Sequence, residues 1–348
     1  MERRELFLEF SRRVINGERL ARDDAEEILS ASDEDIFHLL ASAGDVRRHF
    51  KGDRVDLCGI VNVKSGACSE DCAFCAQSAH HGADSPVYPL METDEVVRRA
   101  KSVEAMGANK LCFVTSGPGV ESEEELEKIC ESIAAIARET SLDRCASLGA
   151  LNRDQLEKLK AAGLQSLHHN IETAESHFDS ICSTHSYADR IKTVNLAREV
   201  GFYVCCGGIF GMGESAEQRI EMALALGELD VDSVPLNFLN PIPGTRLEGA
   251  EPLRPLEILK TIAMFRLMLP DKDIRVCGGR ERNLRSLQPL MFVAGANCTV
   301  LGNYLTTPGR DHNEDLDMIS DLGLRAAAGG TLDTSHDHHA AGFSSAKT

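Results

Sequence analysis

The sequence predicts an α/β chain, a (β/α)8 barrel of TIM type preceded by an N-terminal helical extension. From about residue 55 a strand–loop–helix unit repeats along the chain. Strands that alternate with helices imply parallel βαβ units, and eight such runs are the number that closes a barrel. The length of 348 residues fits, because a single barrel can run past about 250 residues. A doubly wound open sheet is the alternative arrangement of the same units.

The first fifty residues hold no chemical motif. Ile28, Leu29, Ile36, Leu39 and Leu40 form a partly helical apolar pattern that ends near Ser42–Gly44. Leu57–Val63 is the first strand. Thr93 can cap a helix carrying Val96, Val97, Ala100, Val103 and Met106, closed by Gly107. Lys110–Val114 follows as the second strand. Leu126, Ile129, Ile133 and Ile136 share one helix face, and Arg144–Leu148 is the third strand. Asn152 caps a helix bearing Leu156 and Leu159 and ended by Gly163, before the fourth strand, Ser166–Ile171. Ile191, Val194 and Ala197 mark a helix closed by Gly201, then Tyr203–Ile209 is the fifth strand. Ser233–Leu239, Ile274–Cys277 and Thr299–Leu301 complete the eight. The chain thus divides into a helical extension (1–50), the barrel (51–330) and a disordered tail (331–348) containing Ser335-His336-Asp337-His338-His339.

Apolar residues make up 43% of the chain and charged residues 26%, which excludes a disordered or collagen-like protein. No run approaches the roughly 18 apolar residues that span a bilayer. The start, Met1-Glu2-Arg3-Arg4-Glu5-Leu6, has acids where a signal peptide needs an apolar stretch, so a cytoplasmic location is expected. A net charge of −18 argues against a nucleic-acid or acidic-membrane partner. In a cytoplasmic chain the twelve cysteines bind metal, do chemistry or fill core.

The strongest chemical signal is Gly66-Ala67-Cys68-Ser69-Glu70-Asp71-Cys72-Ala73-Phe74-Cys75. Three thiols in eight residues can converge on one soft metal centre, since thiolates prefer iron–sulfur clusters, zinc or copper(I). Zinc is the rival, with His80 or His81 as a fourth ligand, and would make the chain a zinc-binding structural or interaction protein. Against zinc, there is no second CxxC pair, and the loop follows a barrel strand, where active sites form. Three ligands on a four-iron cube leave one iron open. C-x3-C-x-(aromatic)-C, with Phe74 as the aromatic, is the signature of the radical S-adenosyl-L-methionine (SAM) enzymes. Gly207-x-Ile209-x-Gly211-x-x-Glu214, after the fifth strand, resembles the GxIxGxxE motif of that superfamily, where backbone contacts hold adenine. Cys112, Cys145 and Cys205 lie in the second, third and fifth strands. Alternate strand residues point into a barrel, so these three can meet in the lumen, or each can fill core separately.

The stretch 66–78 resembles the cluster loop of the biotin synthase family. The similarity continues through Cys145-Ala-Ser-Leu-Gly-Ala-Leu, Val204-Cys-Cys-Gly-Gly-Ile-Phe-Gly-Met-Gly-Glu, Ser233-Val-Pro-Leu-Asn-Phe-Leu-Asn-Pro and Phe292-Val-Ala-Gly-Ala-Asn, over roughly residues 50–310. The resemblance implies sulfur insertion into dethiobiotin, a 4Fe-4S cluster on Cys68, Cys72 and Cys75, and SAM. It further implies an auxiliary cluster, 2Fe-2S in the family, on Cys112, Cys145, Cys205 and Arg275. Cys277 stands two residues after Arg275, where the family usually has serine, and is an alternative ligand of a variant cluster. Asn170, Glu172 and Arg190 match positions that meet SAM, with Asn170 and Asn237 also at the substrate. Glu172 is aspartate in most of the family, and His168 stands where asparagine is frequent. An electron donor such as flavodoxin or ferredoxin and a homodimer are implied too. A paralogue of the hydrogenase-cofactor maturase or methylornithine synthase type is the alternative, and the joint presence of Cys112, Cys145, Cys205 and Arg275 argues against it. Cys58, Cys130, Cys182 and Cys298 read as structural, and Cys206 as facing away from Cys205.

Overall fold

A computed structural model of the protein describes residues 2–330, so the tail at 331–348 and its histidines lie outside the described residues. Three helices come first, α1 (Arg3–Ile15), α2 (Arg22–Leu29) and α3 (Ile36–Lys51). The apolar pattern expected to end near Ser42–Gly44 continues as helix to Lys51. Gly44 does not stop the helix. It lets another backbone approach, since a Cβ there would stand 2.9 Å from the Val293 carbonyl oxygen. The helix ends instead at Gly52, whose φ of 66° favours glycine.

The strands are β1 (Arg54–Lys64), β2 (Lys110–Thr115), β3 (Asp143–Ser147), β4 (Ser166–His168), β5 (Tyr203–Cys205), β6 (Gly208–Phe210), β7 (Ser233–Phe238), β8 (Asp273–Val276) and β9 (Cys298–Leu301). All pair in parallel in the order β1-β2-β3-β4-β5-β7-β8-β9, and β9 pairs back with β1. Because β5 and β6 both pair with β7, they form one interrupted stave, and eight staves close the barrel. A short strand, β10 (Arg325–Ala326), adds to the outer start of β1. The expected strands are all present, the fourth shortened to three residues and the fifth split.

The crossovers carry the helices α4 (Thr93–Ala105), α5 (Glu123–Glu139), α6 (Arg153–Ala161), α7 (Glu175–Ile181), α8 (Tyr187–Val200), α9 (Ala216–Glu228) and α10 (Pro255–Met268). Asn152 caps α6 as expected, in a capping box with Gln155. Thr93 does not cap α4. It is the first helical residue, and its hydroxyl meets that of Ser132 at 3.2 Å. Leu57, Leu111, Phe113, Ala146, Leu167, Val204, Val234, Leu236, Ile274 and Val276 point outward into the layer between strands and helices. Their alternate neighbours therefore line the lumen.

The N-terminal mouths of the strands are plugged by charge. Asp273 accepts from the Tyr203 hydroxyl at 2.5 Å and from Asn297 at 2.8 Å, and pairs with Lys51 at 2.8 Å. Burial opposes the Asp273 charge, but Lys51 and Tyr203 hold its carboxyl well below the usual carboxylate range. The Lys110 ammonium sits 4.7 Å from the centre of the Tyr203 ring. At the other end, α11 (Arg280–Leu284) follows β8 and is joined to α12 (His312–Asp321) by a buried fork, Arg280 donating to both Asp315 oxygens at 3.0 and 2.5 Å. Removing Asp315 leaves the buried Arg280 with only the more exposed Glu281, 3.5 Å away, as counter-charge. Asp315→Ala is therefore expected to cost about 3–5 kcal/mol, read as a lower urea midpoint; an unchanged midpoint would show the fork to be dispensable.

Candidate active site

The C-terminal ends of the strands open into a cavity of about 340 Å³, within the range of small-molecule sites. Its upper wall is the loop after β1. Gly66 and Ala67 turn the chain with φ of 75° and 51°. The loop then folds on itself, with the Cys68 amide donating to the Gln77 carbonyl (3.0 Å) and the Ala79 amide to the Cys68 carbonyl (2.7 Å). The Gln77 side chain accepts from the Ser65 hydroxyl and the Gly66 amide at 2.9 and 3.1 Å. This brings Cys75 into electrostatic reach of both Cys68 and Cys72, with Cys75 and Phe74 on the cavity wall. Burial pushes the Cys75 thiol up to about 11 and raises that of Cys72 as well. His80 and His81 each spend a ring nitrogen on a loop carbonyl at 2.9 Å, those of Ser69 and Cys75.

The lumen below is lined by the other sulfurs. Cys112 and Cys145 are register partners on β2 and β3. The Cys112 thiol donates to Cys145, which draws Cys145 below the ordinary thiol value and pushes Cys112 above it. Cys205 faces them from β5, its sulfur 3.4 Å from His168 Nδ1. Burial lowers the His168 pKa, which favours the neutral ring. Arg275 and Cys277 complete the wall from the β8 side. Burial disfavours the Arg275 charge, yet Cys298, Cys58, Cys205 and Cys277 around it raise its pKa well above the ordinary value. Its Nη1 is buried without a hydrogen-bond partner. A buried cation with a spare donor, facing several thiols, suits an anionic sulfur-ligated group.

Between the two sulfur sets lies a polar band. Glu172, at φ 67°, donates its amide to the Gly207 carbonyl (3.2 Å) and accepts from the Ile209 amide (2.8 Å) through its own carbonyl. Asn170 accepts from the Gly207 amide at 3.1 Å and donates to the Glu172 carboxylate at 3.2 Å. Arg190 pairs with Glu172 at 3.3 Å and donates to the Asn170 carbonyl at 3.1 Å. Asn237 donates to the Gly208 carbonyl and accepts from the Gly278 amide, at 3.1 and 3.0 Å. Asn170, Glu172, Ile209 and Asn237 line the cavity, whereas Gly207, Gly211 and Arg190 stand behind its wall. The glycine motif is organised by Glu214, which accepts from the Gly211 and Met212 amides (2.9 and 2.8 Å) and pairs with buried Arg219 (2.9 Å).

Three cysteines read as structural occupy more pointed positions. Cys58 lies on the cavity wall against Cys112 and Cys145. Cys298 belongs to the lumen floor with Asp56 and Asp273. Cys182, just after α7, puts its sulfur 3.9 Å from that of Cys72. Strand parity reaches the first two, but nothing local in the sequence announces the third. Cys130 is half-buried on α5, and Cys206 faces the outer core, as expected.

A parallel barrel with a three-cysteine loop after its first strand and a GxIxGxxE turn at its fifth stave defines a radical SAM protein. The Radical SAM superfamily model matches residues 62–226, and that of the Biotin and Thiamin Synthesis associated domain matches 235–325. Biotin synthase of Geobacter sulfurreducens is 53% identical over 314 residues, covering 90% of this chain and 95% of its own. That of Clostridium acetobutylicum is 48% identical over 318 residues, covering 91% and 97%. The chain belongs to the biotin synthase family. Among solved structures, methylornithine synthase superposes with a TM-score of 0.81 at 24% identity, covering 91% of this chain and 97% of its own. A maturase of the FeFe-hydrogenase superposes at 0.79 and 16%, covering 93% and 76%. These two likenesses show the shared fold. No helix among the described residues is long and apolar enough to cross a membrane.

The break between β5 and β6 depends on close packing. A Cβ on Gly207 would stand 2.1 Å from the Pro235 carbonyl oxygen. Gly207→Ala is expected to destabilise the fold by about 1–3 kcal/mol through overpacking; a melting temperature equal to the parent's would count against a packing role for this glycine.

Proposed function

We propose that this chain converts dethiobiotin to biotin by radical SAM sulfur insertion. The observation that carries the reading is one cavity walled by both sulfur sets, Cys75 and Phe74 at its mouth and Cys112, Cys145, Cys205 and Arg275 deeper in the lumen. When bound, a 4Fe-4S cluster with SAM supplies a 5′-deoxyadenosyl radical and an auxiliary iron–sulfur cluster supplies the sulfur. Cys68, Cys72 and Cys75 would hold the first; Cys112, Cys145, Cys205 and Arg275 would hold the second, 2Fe-2S by family resemblance, with Cys277 as the alternative ligand.

The remaining residues position and exclude. Arg190, assigned by family resemblance to the SAM carboxylate, stands behind the cavity wall and orients Glu172 and Asn170. Asn170 and Glu172 offer hydrogen-bonding groups for the ribose, and Ile209 gives the adenine edge, with Gly207 and Gly211 shaping that backbone from behind. Asn237 is left to the substrate. The plugged floor around Asp273 and the apolar layer outside the strands keep bulk water from the lumen, which a carbon radical requires. A flavodoxin- or ferredoxin-type electron donor, a cytoplasmic location and a homodimer belong to the same proposal. The experiment is anaerobic incubation with SAM, reductant and dethiobiotin, with iron and sulfide assayed and products read by mass spectrometry. Biotin is the expected product; zinc without iron, or iron at only about four per chain as a single four-iron cluster would give, would overturn the reading.

Cys72→Ala combined with Cys182→Ala, which removes the one thiol placed 3.9 Å from the Cys72 sulfur, should abolish 5′-deoxyadenosine formation. Undiminished nucleoside release by that variant would remove Cys72 from the ligand set. Cys145→Ala is expected to retain SAM cleavage while delivering no sulfur to dethiobiotin, and full biotin formation would sink the auxiliary site. Arg275→Ala should be milder, with the Arg275/Cys277 double substitution much worse than either alone, the coupling expected of residues that share one site. Strict additivity in auxiliary absorption would show that Cys277 does not participate.

A further inference from the structure

The turn after α7 lies against the cluster loop. The Ala73 amide donates to the Ile181 carbonyl at 2.8 Å, and the Ser183 amide donates to the Asp71 side chain at 2.9 Å. One link is main chain to main chain and the other main chain to side chain, and between them Cys72 and Cys182 lie side by side. The sulfurs are already 3.9 Å apart. Arg246 clamps both segments, donating to the Asp71 carbonyl at 3.1 Å and the Ile181 carbonyl at 2.8 Å. Hydrogen bonds on both sides of the pair thus hold the two segments together.

A metal is the other occupant to weigh, since Cys72, Cys182 and His185 come within 4.8 Å of one another. His185 is already committed on both nitrogens. Arg190 Nε donates to its Nε2 at 2.9 Å, which leaves the ring proton on Nδ1 to bond Glu70. A ring in that tautomer has no lone pair to offer toward the sulfurs. Two thiols then remain, and two thiols side by side form a disulfide rather than a metal site.

We propose that Cys182 is a guard thiol for Cys72, the two closing as a reversible disulfide when the loop carries no cluster and a low-molecular-weight disulfide is present as oxidant. Cys182 is itself buried beside the exposed Ser183 and Thr184, and when that turn opens its sulfur attacks one sulfur of the small disulfide and expels one small thiol. The sulfur of Cys72 then attacks that of Cys182 and expels the second. One S–S bond is broken and one formed; two protein thiols are oxidised, and the oxidant leaves as two thiols carrying both protons. The closed pair shields Cys72 from irreversible oxidation to sulfinic acid and must be reduced before cluster assembly. A ligated Cys72 has no free thiolate to give, so the loaded protein is refractory. The cluster clause rests on the reading of Cys72 as a ligand, whereas the disulfide rests on geometry alone.

The test uses the full chain, purified anaerobically with its iron and then divided, one half stripped with an iron chelator. Both halves are treated with glutathione disulfide, alkylated, digested and read by mass spectrometry. The stripped half should yield a Cys72–Cys182 linked peptide that dithiothreitol releases, and it should reload iron and sulfide only after that release. The loaded half should yield none. In Cys182→Ser, Cys72 should instead carry glutathione, and reloading is expected to be poorer after oxidant alone, with folding checked by circular dichroism. Cys72 linked to Cys68 or Cys75, with Cys182 fully alkylated, would overturn the proposal, as would equal linkage in the loaded half. Failure of the ligand reading is separate: it would show as normal iron content in Cys72→Ala, whatever the linked peptides.

Discussion

The alternation of side chains along eight parallel staves is the constraint on which the rest of this protein depends. Each strand sends one residue into the helix layer and the next into the lumen. Outward positions such as Leu111, Phe113, Leu167 and Val234 bind the helices, and their neighbours Lys110, Cys112, His168 and Pro235 face one another across the barrel. A one-residue slip in any strand would exchange these sets. Closure through the β9–β1 pairing holds every stave in register, so thiols from β2, β3 and β5 converge although nearly a hundred residues separate the first from the last.

Burying charge in such a lumen is costly unless it is balanced. The protein sorts its charges by depth. At the floor Asp273 is satisfied by Lys51, Tyr203 and Asn297, which seals the strand mouths without exposing the core. One layer higher Arg275 is surrounded by several thiols and keeps a donor unspent. At the rim Arg190, behind the wall, neutralises Glu172, which faces the cavity. The gradient runs from a closed ion-pair plug to open, unsatisfied functional groups, which is the order a site buried on one side and entered from the other requires.

The cluster loop owes its shape to contacts far away in the chain. Gln77 and the Cys68 backbone bonds fold it locally. Asp71, Ile181, Ser183 and Arg246 then fasten it to the turn after α7, more than a hundred residues on. Arg190 connects that same turn, through His185, to Asn170 and Glu172 in the polar band. The loop, the band and the turn are therefore tied into one hydrogen-bonded network.

What the sequence determined by itself is what depends on near neighbours. Apolar runs and helix stops marked all eight staves, and the spacing of Cys68, Cys72 and Cys75 marked the loop, because both signals lie within a few residues of one another. Family resemblance, rather than spacing, singled out Cys112, Cys145, Cys205 and Arg275 from the other lumen residues. The end of α3 was misjudged because Gly44 serves a contact with Val293, which no local pattern records. The split of the fifth stave at Gly207 follows from the Pro235 carbonyl pressed against it. Only the tertiary structure decided that Cys58 joins the cavity wall, that Cys298 sits in the floor and that Cys182 faces Cys72. Periodicity reports which face of an element a side chain takes; which distant residue waits on the other side is settled by how the closed barrel and its loops pack.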